Sequence, residues 1–182
     1  MLVLGLDPSS TSTGYGLVRR RGRALEYAGC GCFRPRAGVP FEERLQAIYD
    51  GLRTLLQSES PDAVALESSF YGRDADAAGK LGEARGVLRL ALVQAGLDTT
   101  LYAPAEIKKA VVGNGQASKE QVQMMVARLL KLKQLPRPLD ASDALAIAVC
   151  HLNRGARAVA GAGSRSHRRP EVEALLRRVA NR

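Results

Sequence analysis

Short runs of apolar residues near the N-terminus predict three β-strands. The first run covers residues 2–7 and ends at Asp7. A polar Ser/Thr segment separates it from a second strand at 14–18, and a basic turn at 19–23 leads to a third strand at 25–33. Strands that follow one another through short turns pair in antiparallel fashion, so the pattern predicts a three-stranded meander.

The apolar spacing then changes to a helical period. Residues 40–57 carry apolar side chains every three or four positions, as in an amphipathic helix. A buried strand is predicted at 63–66, a long helix at 76–95 and a fifth strand at 99–102. Because a strand–helix–strand crossover usually makes a parallel pair, the predicted fold class is α/β, with a five-stranded mixed sheet and helices on both faces.

Helices dominate the predicted structure after the fifth strand. Pro104 opens a short helix, because proline is favoured at the first helical position. Ser118 and Gln121 have the spacing of a capping box, which predicts a helix ending near Leu130. The last predicted core helix covers 139–151.

The composition changes at residue 153. Residues 153–167 consist mainly of Gly, Ala, Ser and Arg without periodicity, which is typical of a linker, and 170–179 is a short predicted helix. We therefore expect one folded domain over 1–153 and a basic tail over 154–182.

Composition places the chain among ordinary globular proteins, with 182 residues, 46% of them hydrophobic and 25% charged. No apolar run approaches the roughly 18 residues of a membrane span, and the N-terminus lacks the basic segment of a signal peptide. Three cysteines, an odd number, exclude a complete internal disulfide framework. We expect a protein of the reducing cytoplasm with no membrane partner.

The net charge of +9 is concentrated in the tail. The segment 154–182 holds eight Arg and two Glu, and so contributes +6 of that charge. A basic chain without a membrane segment suggests nucleic acid as a partner. We expect the tail to add non-specific DNA affinity, because arginines bind phosphate without reading base sequence. The alternative is a terminal helix that docks its apolar face on the core.

Four acidic residues are the strongest candidates for chemistry. Asp7 and Glu67 each end an apolar strand, and they would emerge at the same sheet edge if the two strands are parallel neighbours. Open α/β sheets bind ligands at that carboxyl edge. Asp140 and Asp143 lie three residues apart in the first turn of a helix, and therefore share a face.

Carboxylates that converge on one point repel one another unless cations lie among them. Hard oxygen ligands suit Mg²⁺, and two such ions about 3.5–4 Å apart can activate a water and stabilise the leaving oxygen of a phosphodiester. An acidic pair at a helix start is also common in simple N-terminal caps. The metal interpretation therefore depends on both acidic pairs together.

Two other interpretations of the motifs are weaker. Asp7 and Gly14 after a strand resemble the phosphate loop of sugar kinases, but that fold needs a second half and a later glycine-rich loop, which this chain does not supply. The three cysteines and His151 could be grouped as a zinc site, but Cys-x-Cys is poor zinc spacing and buried thiols are the simpler explanation.

Several stretches of the sequence match a known family. They are LGLDP at 4–8, TGYG at 13–16, LESSF at 66–70, KLGEARG at 80–86, IKKAVVG at 107–113 followed by Gly115 and Lys119, and DASDALA at 140–146. Through these residues the chain resembles the RuvC family of crossover junction endodeoxyribonucleases, the bacterial Holliday junction resolvases. The resemblance covers residues 1 to about 153 and leaves out the tail.

The resemblance implies an RNase H-like fold and a homodimer that cuts two opposed strands of a four-way DNA junction with Mg²⁺ or Mn²⁺. It implies that Asp7, Glu67, Asp140 and Asp143 are the catalytic, metal-binding acids, and that branch-migration proteins act on the same junction. Two rival functions remain. One is a ribonuclease H that cuts RNA–DNA hybrids with the same acids, and the other is a junction-binding scaffold that does not cut.

The resemblance also implies DNA contacts. Phe70 would be a wedge that stacks on an unpaired base, with Tyr71 beside it, whereas the alternative is a core residue beneath the loop. Lys108 and Lys119 match basic positions that contact DNA phosphates. Further candidates, on charge alone, are Arg73, Lys80 and Lys109.

A stripe of glycines marks the predicted helix 76–95. Gly79, Gly82 and Gly86 share one side of it, although glycine in a helix interior costs about 1 kcal/mol. Close packing should compensate for that cost. The implied homodimer would supply such packing across a two-fold axis, and packing on the chain's own sheet is the alternative.

Overall fold

The structure, a computed structural model, describes residues 1–9, 12–36, 38–68 and 74–158. Within these ranges the chain forms five strands and five helices in the predicted order. They are β1 (Leu2–Pro8), β2 (Thr13–Arg21), β3 (Ala24–Phe33), α1 (Phe41–Glu59), β4 (Ala63–Glu67), α2 (Ala75–Gln94), β5 (Thr99–Tyr102), α3 (Pro104–Val112), α4 (Lys119–Leu129) and α5 (Leu139–Ala158).

The five strands form one mixed sheet in the order β3-β2-β1-β4-β5. β1, β2 and β3 pair in antiparallel fashion through short turns, whereas β1–β4 and β4–β5 are parallel. The parallel pairs arise because α1 and α2 carry the chain back to the starting edge of the sheet before the next strand begins. The predicted five-stranded mixed sheet is confirmed.

Helices cover both faces of this sheet, as predicted. Side chains alternate along β1, so Leu4 and Leu6 pack on one face with α1 and α2, and Val3 packs on the other with α3, α4 and α5. Leu52 of α1 and Leu88 of α2 are fully buried in the first of these two cores.

α5 lies directly on the backbone of β1 and β2. A Cβ atom added to Gly5 would stand 2.0 Å from the carbonyl oxygen of Ala144, and one added to Gly16 would stand 2.5 Å from the amide nitrogen of Leu145. Carbon and backbone atoms do not approach this closely, so only glycine allows the helix to sit at this depth. The contact fixes the height of α5 above the sheet.

Two elements, β2 and α5, end three or more residues beyond their predicted last residue. β2 extends through Arg21 into the segment predicted as a turn, and Gly22 makes the actual turn with a φ of +57°. α5 continues to Ala158, although a linker was predicted from Asn153. The side chain of Asn153 accepts a hydrogen bond from the Arg20 guanidinium at 3.2 Å, so this last part of the helix is held to the sheet.

The tail prediction lies mostly outside the described residues. Residues 159–182, which include the predicted helix 170–179, are not among them, so the DNA-binding role of the tail stays a prediction. None of the helices described is both long and apolar enough to cross a membrane.

We expect Gly5→Ala to destabilise the protein by about 3 kcal/mol or more, because both atoms in the 2.0 Å contact are fixed by backbone and α5 would have to move. Urea unfolding measures this change. Gln57→Ala is the control, because Gln57 is exposed on α1 and its replacement should change stability by no more than about 0.5 kcal/mol. Equal stability of both variants would contradict the packing argument.

Candidate active site

Asp7 and Glu67 lie side by side at the carboxyl edge of the sheet. β1 and β4 are parallel neighbours in which Leu6 is paired with Leu66, and each acid is the next residue of its strand. The sequence pattern predicted this arrangement on the condition that the two strands pair, and the structure meets that condition.

Asp143 joins these two acids from the first turns of α5. The three carboxylates line a cleft of about 220 Å³ between the sheet edge and the helices α3, α4 and α5. Lys108 of α3 and Lys119 of α4 line the same cleft. Its apolar walls are Pro104, Ile107, Val122 and Ala146.

A capping box places Lys119 at the mouth of this cleft. The Ser118 hydroxyl accepts a hydrogen bond from the Gln121 amide, and the Gln121 side chain accepts one from the Ser118 amide at 2.9 Å, so α4 begins at Lys119 as predicted. The Lys119 ammonium then donates to Asp143 Oδ2 at 3.1 Å. One cation of the chain is thus already paired with the acidic cluster.

The surroundings of Asp7 disfavour its ionised form. Burial raises the pKa of this carboxyl to about 7, with further increases from the charges of Asp143, Glu67 and Asp140 and a small decrease from Lys119. Burial and the charge of Asp143 also raise the pKa of Glu67. The charge of Asp143 is in turn the main reason for a raised Lys119 pKa. Neighbouring acids thus contribute to the raised pKa values of Asp7 and Glu67. Because a cation would relieve their repulsion, the cleft favours the binding of a cation.

Asp140 lies beside the cleft without lining it. Its backbone packs against β2, where a Cβ on Gly14 would stand 2.1 Å from the Asp140 carbonyl oxygen. Gly14 is in turn the partner of Asp7 across the β1–β2 ladder. The Asp140 carboxylate accepts a hydrogen bond of 2.7 Å from the Ser12 hydroxyl, so it is oriented by the turn that follows β1.

Sequence reasoning missed the residues that hold the acids in place. Arg85 of α2 donates from its guanidinium to the carbonyl oxygen of Glu67 at 2.7 Å, and the amide of Ser68 donates to Tyr102 at 2.8 Å. These bonds fix the end of β4. Arg85 lies inside a matched stretch of sequence, but a bond to a backbone atom 18 residues away leaves no spacing signal.

Two other predicted DNA-contact residues, Lys80 and Lys109, do not line the cleft. Lys80 is paired with Asp76 on the surface of α2 at 2.6 Å, and Lys109 is exposed on α3 without lining the cleft. Phe70, Tyr71 and Arg73 lie outside the described residues.

Metal-ligand geometry is not preassembled in the described part of the chain, where no three His, Cys, Asp or Glu side chains are grouped closely enough to hold an ion as they stand. The donor chemistry of the cleft nevertheless fits a hard divalent cation, since three carboxylates line it, and burial together with repulsion among the acids raises the pKa of Asp7. Of the residues grouped in the alternative zinc site, Cys150 is buried, and the ring of His151 forms a hydrogen bond of 3.0 Å with the Tyr102 hydroxyl.

Comparison with known proteins identifies the family. Residues 3–151 match the family model described as crossover junction endodeoxyribonuclease RuvC. The RuvC protein of Ectopseudomonas mendocina is 50% identical over 150 residues, which cover 82% of this chain and 85% of the relative. That of Chlorobaculum parvum is 46% identical over 156 residues, which cover 86% of this chain and 83% of the relative.

Comparison with solved structures also points to this family. RuvC of Thermus thermophilus, solved in complex with a Holliday junction substrate, matches with a TM-score of 0.82 and 34% identity, over 87% of this chain and 96% of that one. The yeast mitochondrial Holliday junction resolvase Ydc2 matches with a TM-score of 0.63 and 12% identity, over 85% of this chain and 79% of that one, and so shares the fold. The chain has the predicted RNase H-like fold, and it belongs to the RuvC family of crossover junction endodeoxyribonucleases.

Proposed function

We propose that this protein is a metal-dependent endonuclease that resolves four-way DNA junctions by paired nicks in recombination and repair. Membership of the RuvC family supports this function. The single observation that carries it is the cleft that Asp7, Glu67 and Asp143 line together with Lys108 and Lys119. Acids and lysines that line one cleft suit a phosphodiester, because the acids can hold a metal ion and the phosphate charge needs cations on the protein side.

Asp7, Glu67 and Asp143 would hold the metal, and Asp140 would complete the set from the side. We propose two Mg²⁺ ions, with Mn²⁺ as a substitute. When bound, such ions polarise the phosphodiester and lower the pKa of an attacking water. In-line attack of that water leaves a 5′-phosphate and a 3′-hydroxyl.

The chain's own residues prepare the cleft for this chemistry. Arg85 and Tyr102 hold the two sides of the peptide group that joins Glu67 to Ser68, directly after the Glu67 side chain. Lys108 and Lys119 supply ammonium groups for the phosphates that flank the bond to be cut. Lys119 is 67% exposed despite its bond to Asp143, so it can also reach a strand at the mouth of the cleft.

DNA contacts beyond the cleft are part of the proposal. Phe70 would act as a wedge at the crossover, Tyr71 would share that role, and Arg73 would contact a phosphate. Lys80 and Lys109 are exposed or partly exposed cations that would contact phosphates of the junction arms. Branch-migration proteins that act on the same junction are the proposed protein partners.

The proposed homodimer would form through the outer side of α2. Among the described residues, no atom lies within 4 Å of a Cβ built on Gly79, Gly82 or Gly86, so this stripe does not pack on the chain's own sheet. Leu90 and Val93 extend the stripe along the helix and are 53% and 60% exposed. A smooth apolar helix face that the described residues leave uncovered supports close packing with a second copy.

The function is tested with a synthetic mobile four-way junction, a linear duplex and an RNA–DNA hybrid, each with Mg²⁺ or Mn²⁺. We expect paired nicks in the junction alone. Preferred cleavage of the hybrid would favour a ribonuclease H, and binding without cleavage would favour a scaffold.

Asp7→Asn should abolish cleavage and yet stabilise the metal-free protein at alkaline pH. The pKa of Asp7 is 3.8 in its ordinary state and about 7 in the fold. Protonated Asp7 therefore makes its whole contribution to the free energy of unfolding below about pH 4. This contribution, up to about 4 kcal/mol, is lost as the pH rises from about 4 through about 7.

Asn carries no such charge, so at pH 8 in EDTA the melting temperature of the variant should be higher than that of the wild type. It should gain less from added Mg²⁺ and still bind the junction, because phosphate contacts come from lysines. Thermal melting with and without Mg²⁺ and a gel-shift assay measure these effects. Wild-type cutting by Asp7→Asn in Mg²⁺ would contradict the site assignment.

Lys119→Ala should weaken junction binding and lower the slope of log affinity against log salt by about one unit, because one phosphate contact is lost. Lys133→Ala is the matched control, since Lys133 is exposed in the segment before α5 and does not line the cleft. Fluorescence anisotropy in EDTA at several salt concentrations measures both slopes. An unchanged slope for Lys119→Ala would place this residue away from DNA.

Gly82→Gln should weaken the dimer without unfolding the monomer. The added side chain meets open space in the described chain and improves helix propensity by up to about 1 kcal/mol, but it would obstruct a second helix at this face. Sedimentation equilibrium measures the dimer constant, and Gly82→Ala provides an intermediate step in size. A wild-type dimer constant in both variants would exclude this face as the interface.

A further inference from the structure

The hydrogen bond between Ser12 and Asp140 links two residues far apart in the chain. Ser12 is only 5% exposed, and its hydroxyl lies 2.7 Å from Asp140 Oδ2. An ionised carboxylate only accepts hydrogen bonds, so the hydroxyl is the donor. A bond to a charged acceptor is about twice as strong as one between neutral groups, which makes this contact a strong determinant of the carboxylate's orientation.

The Ser12 hydroxyl is held in place before any ligand binds. The Ser12 amide donates to the Ser9 hydroxyl at 3.0 Å, and the Ser9 amide and hydroxyl both donate to the Ser12 carbonyl oxygen at 2.8 Å. The next residue, Thr13, enters the β1–β2 ladder opposite Pro8. The backbone of Ser12 is thus fixed on both sides. Its hydroxyl lies 2.7 Å from Asp140 Oδ2 and 3.3 Å from the Ser9 hydroxyl, so the shorter contact, to the charged acceptor, takes its one proton.

The backbone of Asp140 is also fixed, but its side chain needs a separate restraint. The Gly14 contact sets the position of the Asp140 main chain against β2. The carboxylate can still turn about its two side-chain torsions, and Ser12 selects one orientation by binding Oδ2. The second oxygen, Oδ1, then keeps a defined direction relative to Asp7, which is the partner of Gly14 across the β1–β2 ladder.

We propose that Ser12 is a positioning residue for Asp140, and that its hydroxyl bond to Oδ2 presents Oδ1 to a divalent cation in the acidic cluster. The proposal rests on the proposed function, because it requires Asp140 to take part in cation binding. Groups that orient metal ligands in this way typically contribute 10–100-fold to metal affinity or activity. Ser12 acts on the cation through Asp140 and does not itself touch it or the DNA.

Ser12→Val and Ser12→Thr form the test pair, because the two side chains have nearly the same shape and only Thr keeps the hydroxyl. We expect Ser12→Val to lower Mn²⁺ affinity by about 10-fold or more, and Ser12→Thr to restore most of it. Isothermal titration with Mn²⁺ in the absence of DNA gives the affinity. Junction affinity in EDTA should be the same for both variants and the wild type.

A matched loss in Ser12→Val and Ser12→Thr would overturn the proposal, because it would show that volume and not the hydroxyl matters. Wild-type Mn²⁺ affinity in Ser12→Val would also overturn it. If the Val variant does not fold, Ser12→Ala replaces it, since Ala removes the hydroxyl without adding volume.

A double-mutant cycle separates this proposal from the proposed function. In an Asp140→Asn background, Ser12→Val should cause no further loss of Mn²⁺ affinity, because the group that it orients is already disabled. A further loss of the full size would show that Ser12 acts independently of Asp140 and would overturn the proposal. Unchanged Mn²⁺ binding and cleavage in Asp140→Asn alone would instead remove Asp140 from the proposed site.

Discussion

The direct contact between α5 and the glycine backbone of β1 and β2 is the constraint on which the site depends. Gly5 and Gly16 let the helix descend until its backbone touches the sheet, and Gly14 repeats this contact at Asp140. Since α5 begins at Leu139, its depth on the sheet sets the positions of the two aspartates in its first turns. Larger residues in the strands would lift the helix and carry these acids away from Asp7.

This arrangement brings like charges together inside the protein and opposes folding. Burial and three neighbouring carboxylates raise the pKa of Asp7 to about 7, so the ionised cluster is strained in the absence of a cation. Lys119 relieves part of the strain through its bond to Asp143. The packing of the two hydrophobic cores, one on each face of the sheet, offsets the remaining repulsion.

Much of the fold and part of the site could be predicted from the sequence. The periods of apolar residues gave the order of the elements, and the apolar strands ending in Asp7 and Glu67 predicted their shared edge. The end of α5 was missed because it is held by Asn153 and Arg20, a contact across 133 residues. Ser12 and Arg85 were missed for the same reason, since hydrogen bonds between distant elements leave no periodic trace.

The bond from Arg85 to the Glu67 carbonyl has a mechanical consequence. Arg85 lies between Gly82 and Gly86 on α2, so the helix that exposes the glycine stripe also holds the end of β4. A helix is stiff over this length, so a tilt imposed on its outer side would be transmitted through the Arg85 guanidinium to the backbone at the end of β4. A partner that packs against the outer face of α2 would therefore change the position of Glu67.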